Sequence, residues 1–400
     1  ESLLSLVPDY HGYVLLTKDI PGLPQASQQP EQPGLKDLFI LLYTSGSTGM
    51  PKGCMLEHGN IAAFCHWYRS YYDLQPESCV AAYASYGFDA HMMDLYPALT
   101  TGASVCIIEE ALRLDLGELN RCMEAQNVTH AFMTTQIGRA FATSVRSRTL
   151  KHLAMGGEAL TPFTPEGSTV YHNIYGPTEC TVNATAYEME AFEEDVPIGR
   201  AIANVKVYVL DACGRRVPAG VPGELCIAGV QVSRGYLNRP EKTAEVYAEN
   251  PFCAHEDYRR MYRTGDIVRF LPDGNIQFIG LRDGQVKIRG FRIELTEVEE
   301  VIRRFPGIRD AAVAAFDEPA GGKYIAAYIV SDEMVDIAAM NAFIEESKPP
   351  YMVPAVTMQI DRIPLNQNQK VDKRALPRPE RRQEALSAPE NAVQQKIFDC

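Results

Sequence analysis

The densest group of residues able to do chemistry is the stretch 43–53, YTSGSTGMPKG. Thr44, Ser45, Ser47 and Thr48 offer hydroxyl donors, Gly46, Gly49 and Gly53 let the backbone turn, and Lys52 is the single cation. That combination suits phosphate. Glycines allow backbone N–H groups to converge on an anion, and a lysine adds a point charge that needs no bidentate geometry. It is not a Walker A loop, which requires Gly-x-x-x-x-Gly-Lys-Ser/Thr, because Lys52 stands between Pro51 and Gly53. Alone, the stretch would also suit a plain surface turn, since Gly, Ser and Thr are ordinary loop material.

A loop of this kind needs regular elements to hold it. Residues 38–43 form an apolar, strand-like run directly before it, which places it at a strand end, where α/β folds bind ligands. Residues 60–72 read as a helix and 78–85 as a strand; the run FDAHMMDLYPALTTG then reads as a helix closed by Gly102. Helical and apolar segments go on alternating to residue 155, which predicts a largely parallel sheet covered on both faces. Near Pro197 the texture changes to short strands separated by Gly/Pro turns (205–210, 223–228, 266–270, 275–280), as in an antiparallel or barrel-like section. After Asp283 come a strand, a helix opening at Thr296 with Glu299 as the reciprocal partner of a capping box, two more strands and a further helix to Glu346. That pattern is a small α+β domain.

Composition narrows the classes. With 400 residues the chain exceeds one ordinary domain, and its net charge of −13 argues against a surface that coats nucleic acid. The ten cysteines are scattered singly, without C-x-x-C pairs or zinc spacing, so a reducing cytosol is expected rather than a disulfide framework. No apolar run reaches transmembrane length and the start does not resemble a signal peptide, so neither nucleic acid nor membrane is an expected partner. Both ends look cut from a longer polypeptide.

Six stretches occur in a fixed order: YTSGSTGMPKG, NIYGPTE at 173–179, GELCIAGVQVSRGYLNRP at 223–240, YRTGD at 262–266, DGQVKIRGFRIEL at 283–295 and NQNQKVDKRAL at 366–376. This order resembles adenylate-forming enzymes, and within them the adenylation domains of nonribosomal peptide synthetases. The resemblance implies a large core over 1–282 with its front part missing, a small mobile lid over 283–377, a linker over 378–390, and at 391–400 the start of a carrier-protein domain joined in cis. It also implies a reaction: an amino acid carboxylate attacks the α-phosphate of ATP, and the phosphopantetheine thiol of the carrier then takes the acyl group. By the same resemblance, Thr44, Ser45, Gly46, Ser47, Thr48, Gly49 and Lys52 hold the β- and γ-phosphates, Asn173 bonds adenine and Tyr175 stacks on it. Thr178 touches the α-phosphate, Glu179 holds Mg²⁺, Asp266 accepts the ribose hydroxyls, Asp283 is the hinge, and Lys370 bridges carboxylate and α-phosphate. GELCIAG and GYLNRP are expected to be structural.

Two positions depart from the family's pattern. Gln369 stands where the family has glycine, and Leu281 stands where it has an arginine that approaches the nucleotide, with Arg282 one place later as the possible substitute. For the amino acid, Asp89 matches the carboxylate that pairs with the α-ammonium, and the remaining pocket positions are Ala90, Met93, Gln136, Ala154, Gly156, Ile174, Val182 and Asn183. None of these eight is charged, and the small Ala154 and Gly156 are expected to leave room, so a neutral, medium-sized amino acid fits. Two alternatives stay open: a stand-alone acyl-CoA or D-alanine-type ligase, and a non-catalytic nucleotide-binding remnant. The tail SAPENAVQQKIFDC favours a carrier in cis over the first, and Lys370, Glu179 and Asp266 oppose the second.

Overall fold

The computed structural model describes residues 31–44, 51–281, 285–288, 291–318, 322–364, 371 and 375–379. Two compact units divide the chain, Glu1–Gly34 and Leu35–Cys400, and every feature below lies in the second.

β1 (Leu38–Thr44) and β2 (Lys52–Glu57) pair antiparallel, with Thr44 directly opposite Lys52. The strands on either side of the glycine-rich stretch are therefore paired with each other. α1 (His58–Tyr71) follows at once and buries Phe64, Trp67 and Tyr68. Strands and helices then alternate through β3 (Cys79–Ala82), α2 (Ala90–Thr101), β4 (Ser104–Ile107), α3 (Leu116–Ala125), β5 (His130–Thr134), α4 (Thr135–Ser144) and β6 (His152–Gly156), and β7 (Val170–Tyr175) follows β6 without a helix between them. In space the strands run β4-β3-β5-β6-β7, all parallel, and the sheet is extended antiparallel by β8 (Thr185–Met189) and β9 (Arg200–Ala201). β3, β5 and β6 are nearly continuous apolar runs because helices cover both of their faces. As expected, α2 stops at Gly102, whose φ of 82° suits a residue without a Cβ.

The second section is an antiparallel sheet of β10 (Val205–Leu210), β11 (Gly223–Gly229), β12 (Tyr247–Glu249), β13 (Arg260–Phe270) and β14 (Ile276–Leu281), with the short α5 (Pro240–Val246) leading into β12. The third comprises the hairpin of β15 (Gln285–Ile288) and β16 (Phe291–Glu294), then α6 (Leu295–Arg303), β17 (Ile308–Asp317), β18 (Lys323–Ser331), α7 (Ile337–Glu345) and β19 (Val356–Gln359). Val298, Ile302, Val313, Ile325 and Met340 pack as its own core. One local expectation is corrected here. Glu299 lies inside α6, not in a capping box: its carboxylate accepts the Val313 N–H at 2.9 Å, tying the helix to β17. A buried carboxylate is better satisfied by a strand amide than by a solvated helix end.

Beneath α1, three histidines on adjacent strands touch one another. His130 stacks on His152 with ring centroids 5.1 Å apart; His152 Nδ1 and His172 Nε2 are 3.0 Å apart, and His172 Nδ1 lies 3.3 Å from the Tyr71 hydroxyl. Burial pushes His130 down to about 4 and His172 to about 3, and lowers His152 as well. The folded state thus keeps these rings neutral while the unfolded chain takes up protons near pH 6.5, so this stability is complete above about pH 6.5 and is lost as pH falls. Denaturant unfolding at pH 7 and pH 5 is expected to differ by a few kcal/mol, on the scale of ~1.4 kcal/mol per pH unit for each fully buried ring. Equal stability at the two pH values would contradict this account of the cluster.

Candidate active site

A cleft opens between the ends of the parallel strands and the second section. Residues 157–160, Asn173, Tyr175, Ile198 and Phe278 line it. Asn173 is buried on β7 and its side-chain amide donates to the Pro197 carbonyl at 2.7 Å, which fixes its orientation. Tyr175, at the end of the same strand, donates its hydroxyl to Asp266 Oδ2 at 2.6 Å. Asp266 sits on β13 and is only 1% exposed. Its backbone is held by a chain of bonds: Asp266 N–H to Thr264 Oγ1 at 2.9 Å, and Thr264 Oγ1 to the Leu225 carbonyl at 2.8 Å. Glu224 of the GELCIAG stretch accepts the Gly265 N–H at 3.3 Å and pairs with Arg263 at 2.5 Å, so that stretch shapes the turn carrying Asp266.

The segment after β7 bends sharply. A Cβ at Gly176 would lie 2.2 Å from the Val182 carbonyl, so only glycine permits the chain to fold back here. Thr181 and Val182 have φ of 58° and 68°, a left-handed conformation that is unfavourable for β-branched residues by about 1–3 kcal/mol each. The bond from Thr181 Oγ1 to the Gln231 carbonyl, 2.7 Å, helps to hold it. The bend delivers Thr178 and Glu179. Thr178 donates its hydroxyl to Asp89 Oδ2 at 2.6 Å, which joins the residue expected at the α-phosphate to the one expected at the substrate ammonium. Burial raises the Asp89 carboxyl above its usual range, and no lysine or arginine among the described residues pairs with it.

Glu179 is 5% exposed, and its Oε1 accepts a 2.6 Å hydrogen bond from the Tyr236 hydroxyl. Lys52 Nζ lies 3.4 Å from that same hydroxyl and 4.7 Å from the centre of the ring. Thr44 Oγ1 is buried and makes no hydrogen bond among the described residues. Mg²⁺ keeps several waters and takes one or two carboxylates together with substrate phosphates, so a single half-satisfied carboxylate beside Lys52 of β2 fits that ion. Ser45, Gly46, Ser47, Thr48, Gly49, Arg282, Asp283 and Lys370 lie outside the described residues.

Of the residues expected to line the amino acid pocket, Ala90 opens α2, Met93 is fully buried, and the Asn183 amide lies 3.6 Å from Met93 Sδ. Gln136 donates to Glu158 Oε2 at 3.3 Å. Gly156 does not leave the room expected of it: a Cβ there would meet the Ile174 carbonyl at 2.7 Å and its Cγ1 at 2.8 Å. Ile174 fills the space that the missing side chain vacates. Ala154, beside Phe132 on the neighbouring strand, is 2% exposed and Val182 6%.

Leu281 is the direct cross-strand partner of Asp266. Directly opposed residues project from the same face of a sheet about 5 Å apart, so position 281 stands beside the carboxylate expected at the ribose. Leu281→Arg is therefore expected to lower the ATP concentration required for binding about tenfold, on the scale of ~1.5–3 kcal/mol for a hydrogen bond to a charged group. Titration of ATP against Leu281→Arg and Arg282→Ala checks this. A gain in the first with no loss in the second assigns the contact to position 281, whereas a marked loss in the second assigns it to Arg282.

Sequence reasoning missed Tyr236, which lies in GYLNRP, a stretch read as structural. It also missed the loop 157–160 on the cleft wall. No spacing rule signals either, because their partners are distant in the chain.

The sequence matches the AMP-binding enzyme family over residues 8–237 and the AMP-binding enzyme C-terminal domain over residues 297–370. Bacitracin synthase 1 of Bacillus licheniformis is 41% identical over 364 residues, covering 90% of this chain and 7% of that protein. Surfactin synthase subunit 1 of Bacillus subtilis (strain 168) is 41% identical over 382 residues, covering 94% of this chain and 10% of that protein. The chain thus spans a tenth or less of these relatives. Among solved structures it superposes on holo-PA1221, an NRPS protein containing adenylation and PCP domains, with a TM-score of 0.77 at 26% identity, covering 90% of this chain and 63% of that one. The matched residues include β1 and β2, the bend carrying Thr178 and Glu179 and most of the small third section, and the chain belongs to the AMP-binding enzyme family.

Proposed function

We propose that this chain activates an amino acid with ATP as the aminoacyl adenylate and passes the acyl group to the phosphopantetheine thiol of a carrier-protein domain. The observation that carries this reading is the Asp89–Thr178 bond beside Glu179, which sets an anchor for an ammonium next to groups suited to a phosphate. A bacitracin synthase and a surfactin synthase subunit at 41% identity and a structural neighbour that contains adenylation and PCP domains support it.

In the first half-reaction a carboxylate oxygen of the amino acid bonds to the α-phosphorus. The bond from that phosphorus to the bridging oxygen breaks, and pyrophosphate leaves with the electron pair. Asp89 binds and orients the α-ammonium, Asn173 and Tyr175 position the base, and Asp266 accepts the ribose hydroxyls, for which an acceptor-only carboxylate is suited. Lys52 and the hydroxyls around it hold the departing phosphates, while Lys370 is assigned the charge that develops between carboxylate and α-phosphate. Magnesium, when bound at Glu179, would neutralise phosphate charge. In the second half-reaction the carrier's thiolate bonds to the acyl carbon and AMP leaves with the former carboxylate oxygen. The small domain, residues 283–377, is assigned the role of lid and Asp283 that of its hinge. Incubation with ATP, an amino acid and a holo carrier domain tests the whole reading: the carrier should gain the mass of one aminoacyl group, and adenylate formation without transfer would reject the carrier assignment.

A further inference from the structure

We infer that Tyr236 is a positioning residue for the metal-binding carboxylate, holding Glu179 and Lys52 apart so that each can meet the magnesium–nucleotide complex. This rests on the adenylation reading and deepens it. The phenol is fixed from two sides. Residues 234–237 run alongside β2: Leu237 N–H donates to the Gly53 carbonyl at 2.8 Å and Met55 N–H to the Gly235 carbonyl at 3.0 Å. From the other side, Tyr236 N–H donates to Thr243 Oγ1 of α5 at 3.0 Å. The ring is 3% exposed and leaves its hydroxyl 2.6 Å from Glu179 Oε1.

The hydroxyl acts as a spacer between opposite charges. It donates to Glu179 and receives Lys52 at 3.4 Å, and among the described residues Lys52 and Glu179 form no ion pair with each other. A direct pair would occupy both groups needed for substrate, the cation for phosphate and the carboxylate for metal, and would have to break at each binding event. Residues that hydrogen-bond a metal ligand commonly change metal affinity 10–100-fold when removed.

The comparison that isolates this role uses Tyr247, whose hydroxyl lies 2.6 Å from Ser233 Oγ in the same buried cluster but, among the described residues, makes no hydrogen bond to the Glu179 carboxylate. Thermal unfolding of the parent, Tyr236→Phe and Tyr247→Phe is followed with ATP at increasing Mg²⁺, without amino acid. The Mg²⁺ concentration giving half of the nucleotide-dependent stabilisation should rise about tenfold in Tyr236→Phe and stay unchanged in Tyr247→Phe. Unfolding of each variant without nucleotide, in the same experiment, separates loss of fold from loss of metal affinity. An unchanged Mg²⁺ midpoint in a folded Tyr236→Phe would overturn the inference alone, as would an equal rise in both variants. A parent that ignores Mg²⁺ and ATP would overturn the adenylation reading together with it.

Discussion

Asp89→Ala is expected to abolish the preference for an α-amino acid over the desamino acid of the same skeleton, a change of about a hundredfold or more. The carboxylate is half-buried, raised by burial, and hydrogen-bonded by Thr178 at 2.6 Å, with no lysine or arginine partner among the described residues. A substrate ammonium would supply the missing cation. Removing one partner of a buried charge pair typically costs ~3–5 kcal/mol, because the other charge is left desolvated and unpaired. The desamino acid never gains this term and should lose little. Relative rates for isoleucine or glutamine and the matching desamino acid, measured in parent and variant, give the answer directly. A preference that survives intact would move the ammonium site elsewhere.

Lys370→Ala should lower aminoacyl adenylate formation about a hundredfold or more, the usual scale for removing one preorganised charge stabiliser. Negative charge accumulates between the attacking carboxylate and the α-phosphate. Lys52 is engaged at the Tyr236 hydroxyl beside Glu179, on β2, so a second cation is needed at the reacting centre. Attack of the carrier thiol on preformed adenylate does not build that charge and should survive in the variant. Single-turnover measurement of the two half-reactions separates them, and adenylation within twofold of the parent would remove Lys370 from this role.

Particular elements show which features the sequence carries. The parallel sheet was legible because β3, β5 and β6 are apolar runs spaced by helical segments, and α2 announces its end with Gly102. The hairpin partner β2 was not, since its six residues contain Gly53 and lead straight into α1 without a turn signal. Contacts that build the site were the least legible. Thr178 and Asp89 are 89 residues apart and Tyr236 and Glu179 are 57 apart, so residue type could nominate the carboxylates but not the hydroxyls that orient them. Gly156 was misjudged for a related reason: the space beside a glycine belongs to whatever the next strand places there, here Ile174. Glu299 fits a capping-box spacing, yet its carboxylate bonds to a strand that sequence spacing does not reveal.

Every assigned role presupposes that ATP activates an amino acid carboxylate. ATP–pyrophosphate exchange across a panel of amino acids and plain carboxylic acids tests it most directly, because the label returns to ATP only if the adenylate forms reversibly. Exchange is expected to depend on one or a few neutral, medium-sized amino acids and to be absent with their desamino counterparts. Exchange supported equally by fatty or aryl acids, or no exchange with any amino acid, would contradict it.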